Sequence, residues 1–132
     1  MSRRHALCGR DERGAAAVEF ALIVGVLVLV VFGIIEFGRA YSEVNVMQGA
    51  AREGARLAAV RADPSEVVAR VRLAAAPYRV DGRPSVSTTC DEDTTGDPVM
   101  VSWTQTIEFD IPMLPGGQIT KPVRIQGVFR CE

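Results

Sequence analysis

RGAAAVEFALIVGVLVLVVFGIIEFG, Arg13 to Gly38, is the stretch on which the reading of this chain turns. The sixteen residues from Phe20 to Ile35 carry no charge and no strongly polar group. Extending back to Ala15 gives 21, interrupted only by Glu19. A helix rising roughly 1.5 Å per residue needs about 20 apolar residues to cross a bilayer's hydrocarbon layer. Ala15–Ile35 is long enough. The competing reading is a buried core helix, but so greasy a helix needs cover on every side, and a chain of 132 residues leaves little to supply it.

The flanks suggest an orientation. Arg3, Arg4, Arg10 and Arg13 precede the span, while Glu36, Arg39 and Glu43 follow it. By the positive-inside rule the N-terminus is cytoplasmic and everything from about Glu36 onward is outside. An ordinary cleaved secretory signal fits poorly, because the apolar run exceeds the usual 7–15 residues and only Gly38-Arg39-Ala40 follows it. Leu7-Cys8 is no lipoprotein site, since the apolar region comes after it. The cysteines agree with export. Cys8 lies in the cytoplasmic stub, whereas Cys90 and Cys131 fall in the outer part, where disulfides persist. One intramolecular pairing is open to them, worth about 4 kcal/mol in the chain-entropy model, and two free thiols are the alternative.

Outward from the span, residues 15–62 contain no Pro and no turn cluster, so they read as one helix of roughly 70 Å. In its second half Val44, Met47, Ala51, Gly54, Ala55 and Ala58 recur near helical period. The small residues invite close packing against this chain's own sheet or a neighbouring helix. Asp63-Pro64-Ser65-Glu66 starts a second helix, with Asp63 as cap, Pro64 in the first position and Glu66 completing a capping-box pattern. That helix is expected to reach about Ala76, before Pro77. From Val80 onward alternation replaces the helical period, and the candidate strands are Ser85–Cys90, Val99–Ile111 and Val123–Cys131. Val99, Val101, Trp103, Gln105, Ile107, Phe109 and Ile111 share one face of the long strand. Val123, Ile125, Gly127 and Phe129 form the inward set of the last. Pro112–Gly117 reads as a loop. The fold class is α+β: a long transmembrane helix continuing outside, then a small antiparallel sheet head. The divisions are 1–14, a basic leader; 15–37, the span; 38–62, the helix extension; and 63–132, the head.

Glu19 is the residue the span must explain. A carboxylate at mid-bilayer costs roughly 2.5–3.5 kcal/mol on insertion scales, and less near an end, so Glu19 could simply snorkel to the headgroups. The local string says more. Glu19 is the fifth residue after Gly14, at the border between a basic leader and an apolar helix. Gly-x-x-x-x-Glu in that setting is the pattern of type IV prepilin-like signals. RGAAAVEFALIVGVLVLVVFGIIEFGRAY, followed by AAREGARLAA, resembles the TadE-like family of minor pilins or pseudopilins in the tight-adherence (Tad, or Flp) pilus system. The likeness runs over residues 10–62, and the head is similar only in type, as a short pilin-like α+β region.

The resemblance implies that prepilin peptidase cuts between Gly14 and Ala15. It implies that Glu19, then the fifth residue, pairs with the new amine of a neighbouring subunit. Partners implied are that peptidase, other Tad pilins or pseudopilins, the Tad membrane platform and the lipid bilayer. The major Flp pilins are shorter and carry Glu-Tyr where this chain has Glu19-Phe20, which favours an accessory subunit. Ala17, Ala21, Gly25 and Gly33 add a small-residue spacing suited to helix pairing, or arise by chance in an Ala/Gly/Val-rich segment.

Other chemistries find little footing. Asp91, Asp93 and Gly96 match the first, third and sixth positions of a calcium loop. Ser102 stands where the bidentate Glu belongs, and a strand follows instead of a helix. The single His is His5, in the leader, so His-based triads and zinc sites lack ligands in the head. Net charge is −1 and the arginines are scattered, which argues against a nucleic-acid partner. No enzyme activity and no cofactor are expected. The rival functional reading is an uncleaved, signal-anchored membrane protein whose outer domain binds something.

Overall fold

The computed structural model describes residues 8–110 and 116–132, with side chains from Gly14 onward. His5, the arginines at 3 and 4, and the stretch 111–115 of the expected strand and loop lie outside the described residues. The architecture is α+β. Helix α1 is Cys8–Ala59 and α2 is Pro64–Ala74. Three strands follow, β1 (Ser85–Val86), β2 (Pro98–Asp110) and β3 (Gln118–Arg130). They form one antiparallel sheet in the order β1-β2-β3.

α1 is unbroken for 52 residues, roughly 78 Å at helical rise. It begins before the expected boundary at Ala15, so Gly14 and Ala15 lie inside a helix. One glycine costs about 1 kcal/mol against alanine, too little to break a run of otherwise good helix formers. At the other end α1 stops at Ala59, short of residue 62. Arg61 takes a left-handed backbone (φ 66°), which turns the chain toward α2. Asp63 caps α2 by accepting hydrogen bonds from the Ser65 amide (2.8 Å) and hydroxyl (2.6 Å). Those two bonds hold the Asp63 carboxyl below its usual range. The expected reciprocal bond from Glu66 is not found among the described residues, and α2 ends at Ala74 instead of Ala76.

The sheet lies on the second half of α1. Met47, Ala50, Ala51, Gly54, Ala55, Ala58 and Ala59 are buried there, with Val67 and Val71 of α2 and Val99, Val101 and Ile125 of the sheet. Each fully buried Val, Ile or Met contributes about 1.5–3 kcal/mol of hydrophobic stabilisation. The small residues set the spacing. A methyl group added at Gly127 would overlap the backbone of Ala51 and Arg52, and one at Gly54 would collide with Val71. The small-residue face expected from sequence therefore meets the chain's own sheet.

β2 runs lengthwise along α1, in the opposite direction. Val101 lies beside Gly54, Gln105 bonds Glu43, and Glu108 bonds Arg39. Seven residues of strand cover roughly 24 Å and fifteen of helix about 22 Å, so the two elements keep pace.

Three strand expectations change. β1 is two residues long, not Ser85–Cys90. Beyond Val86 the Ser87 amide donates to the Met100 carbonyl (2.9 Å), and the Ser87 hydroxyl, not its carbonyl, accepts from the Met100 amide (2.9 Å), which ends the ladder. β3 starts at Gln118, well before Val123, because pairing continues from Asp110↔Gln118 through Thr106↔Pro122. A proline is tolerated there because β3 is an edge strand. Phe129, expected inward, is 40% exposed, since a side chain on the edge strand has a neighbouring strand on one flank only.

Candidate functional site

The first half of α1 is bare. None of its apolar window, of mean hydropathy 3.0, is buried in the protein. Leu22, Ile23, Leu27, Ile34 and Phe37 all stand well exposed. This disposes of the core-helix reading: the head begins to cover α1 only at Ala40. A single helix this long and apolar is compatible with a single-pass membrane protein.

On this bare segment lie the residues singled out by sequence. Gly14 and Ala15 are exposed within α1, and a side chain at Gly14 would meet nothing. Glu19 is exposed one and a half turns further on, as is Phe20. Among the described residues Glu19 has no hydrogen-bonding or ion-pairing partner. In hydrocarbon that is the costly arrangement, relieved by the headgroups or by a cation from outside the chain. Ala17, Ala21, Gly25 and Gly33 are also uncovered, with open space around both glycines.

The other predicted site is at the far end of the head. Cys90 and Cys131 are joined, with Cα atoms 5.5 Å apart and a sequence separation of 41. Backbone bonds reinforce the junction. The Gly96 amide donates to the Cys131 carbonyl (2.8 Å), the Cys131 amide to the Asp97 carbonyl (2.9 Å), and the Glu132 amide to the Ala59 carbonyl at the end of α1 (3.1 Å). The calcium-like loop is occupied with its own backbone. Asp91 Oδ1 accepts from the Asp93 and Thr94 amides (3.1 and 3.0 Å) and from the Thr94 hydroxyl (2.9 Å), which holds its carboxyl below the usual range. Among the described residues no group of three or more His, Cys, Asp or Glu is arranged to hold a metal.

Two arrangements escaped the sequence reading. Glu36, which the sequence places just past the span, accepts from Arg39 (3.0 Å) and from the Asp110 amide (3.4 Å). Arg39 also donates to the Glu108 carbonyl (2.8 Å). Together they fasten the lower end of β2 to the helix just outside the apolar segment. Gln105, 2% exposed on the otherwise apolar face of β2, accepts from Trp103 Nε1 (3.1 Å) and the Asp81 amide (3.0 Å). It donates to the Arg79 carbonyl (3.0 Å) and Glu43 (3.3 Å). A lone amide on an apolar face was the available signal, because a buried polar group needs partners.

A bare apolar helix with an N-terminal Gly-x-x-x-x-Glu continues without interruption into a small α+β head, an arrangement compatible with a single-pass membrane protein. Residues 14–56 match the family model described as TadE-like protein. That match spans the bare half of α1 and most of the packed half, and it ends before the head's own elements. No curated protein and no solved structure matches the chain.

Proposed function

We propose that this chain is a TadE-like minor pilin or pseudopilin that acts by assembly and not by catalysis. In this reading it crosses the cytoplasmic membrane once, N-terminus inside, with its head outside. Prepilin peptidase cuts it between Gly14 and Ala15. The Glu19 carboxylate then meets the Ala15 amine of a neighbouring pilin or pseudopilin, and the subunit serves a Tad (Flp) pilus, its membrane platform or a related secretion machine. The observation that carries the reading is Glu19, without a partner among the described residues, on an uncovered helix, five residues after an unencumbered Gly14, inside the family-matched segment. The amine–carboxylate pair would offset the desolvation of both groups in hydrocarbon.

One observation favours a second reading. α1 runs without a break through Gly14 and Ala15, so the scissile bond would have to unwind before a protease could reach it. An uncleaved anchor with a binding head is consistent with that helix. Intact mass and N-terminal sequence of the protein from its native host separate the two. A chain beginning at Ala15 supports processing, and one that retains residues 1–14 replaces the pseudopilin reading with the anchor.

A further inference from the structure

At the end of the head nearest the bare helix, α1 and the sheet line an open apolar groove of about 230 Å³. Phe37, Ala40, Tyr41, Ile107, Phe109 and Lys121 are among its walls. Phe37 and Tyr41 stack with ring centroids 6.3 Å apart, and both are more than 60% exposed. Ile119, paired with Phe109 in the register, extends the apolar lip and is 44% exposed.

The position of this groove identifies its occupant. Phe37 follows Ile35 by two residues and Tyr41 by six, so the rings lie roughly 3–9 Å beyond the apolar segment along the axis. The layer between hydrocarbon and water is about 5–8 Å deep on each side of a bilayer. Aromatic rings concentrate at that depth. The groove is thus continuous with the lipid-facing surface of the span. Lys121 supplies a matching charge. By the alternation of β3 it shares the inward face with Ile119, Val123 and Ile125, yet it is exposed, with its stem along the groove. An ammonium on an apolar stem at this height suits lipid phosphates. The Glu36–Arg39 fastening keeps the hairpin end from swinging away.

We propose that the head does not ride free above the membrane but is seated on it. Phe37, Tyr41, Phe109 and Ile119 enter the headgroup–acyl boundary of the outer leaflet, and Lys121 meets lipid phosphate. This rests on the reading of residues 15–37 as a span, and the test separates the two.

The full chain, with Cys8→Ser to leave only the disulfide, is labelled with an environment-sensitive fluorophore at one introduced cysteine: Val26→Cys in the span, Ile119→Cys at the lip, or Val128→Cys far up the same strand. Each is placed in phosphatidylglycerol/phosphatidylcholine vesicles with and without lipids brominated near the top of the acyl chain. The expected result is at least twofold quenching at 26 and at 119 and none at 128, with quenching at 119 weakened by Lys121→Glu. Quenching at 26 with 119 as silent as 128 overturns the seating and leaves the span intact. No quenching at 26 overturns both. An unquenched but blue-shifted label at 119 that reverts on dilution of protein in lipid assigns the groove to a second copy and also overturns the proposal.

Discussion

α1 is one helix with two surfaces. From Gly14 to Phe37 it presents large side chains, Leu, Ile, Val and Phe, and almost all are exposed. From Ala40 to Ala59 it presents Ala, Gly and one Met, and these are the buried ones. The inversion shows that hydrophobicity alone does not mark the core of this protein. Large apolar side chains on all sides, with nothing against them, belong where the solvent is itself apolar. Small ones on one face belong where a sheet must come within van der Waals distance of the helix backbone. The first half is built to meet lipid or other helices, and the second to meet its own chain.

That contrast can be broken at chosen residues. The largest effect is expected in the bare half and concerns assembly. Gly14→Asp should abolish maturation, leaving only full-length protein on an immunoblot from the native host. Glu19→Ala should spare cleavage but cut surface pilus or secretion output by an order of magnitude or more. Normal maturation of the Gly14 variant would sink the pseudopilin reading.

The packed half should fail first when its tie is cut. Reducing the Cys90–Cys131 bond, or replacing both residues with Ser, removes a closed loop worth about 4 kcal/mol in the chain-entropy model. Guanidinium unfolding followed by Trp103 fluorescence in micelles should show the head's midpoint fall. Far-UV circular dichroism should retain the helical signal of the bare half. Simultaneous loss of both signals would mean that the halves are not independent.

A paired glycine test sharpens the comparison further. Gly127→Ala forces a methyl into the Ala51 backbone, and overpacking of this kind costs about 3 kcal/mol. Gly25→Ala meets open space and should leave head unfolding unchanged. Equal effects would show that the two surfaces are not as different as they look.

The smallest effect is a pH dependence. Asp63 and Asp91 both have carboxyl pKa values lowered in the folded state, by the Ser65 and Thr94 hydrogen bonds respectively. A group depressed on folding stabilises fully above its unfolded value, about 3.9, and loses that contribution as pH falls through the folded value. Head stability should therefore be level from pH 7 to about 5 and decline below about 4. Asp63→Asn with Asp91→Asn should flatten that decline.

Much of this molecule could be read before any coordinates. The bare apolar helix was visible because its uncharged run has the length that lipid imposes. The packed face of α1 and the alternation of β2 were visible because each has a single period. The Asp63 cap was visible because capping is local. What could not be read is mostly long-range. Arg39 meets Glu108 across 69 positions, and Gln105 meets Glu43 across 62. No local pattern encodes either pairing. The early start of β3 hid behind Pro122, which is acceptable only once β3 is known to be an edge. The helical state of residues 8–14 hid behind their polarity, since charged residues are as helix-competent as apolar ones.

The unbroken course of α1 has one further consequence. A continuous helix transmits rotation. The Gly127–Ala51 and Glu108–Arg39 contacts fix the head's azimuth on the helix, and with no hinge between Arg39 and Glu19 they fix the compass bearing of Glu19 as well. One residue inserted between Ile35 and Arg39 would turn that carboxylate by roughly 100° and displace it by about 1.5 Å relative to the sheet. The head thereby sets the direction in which the Glu19 carboxylate points.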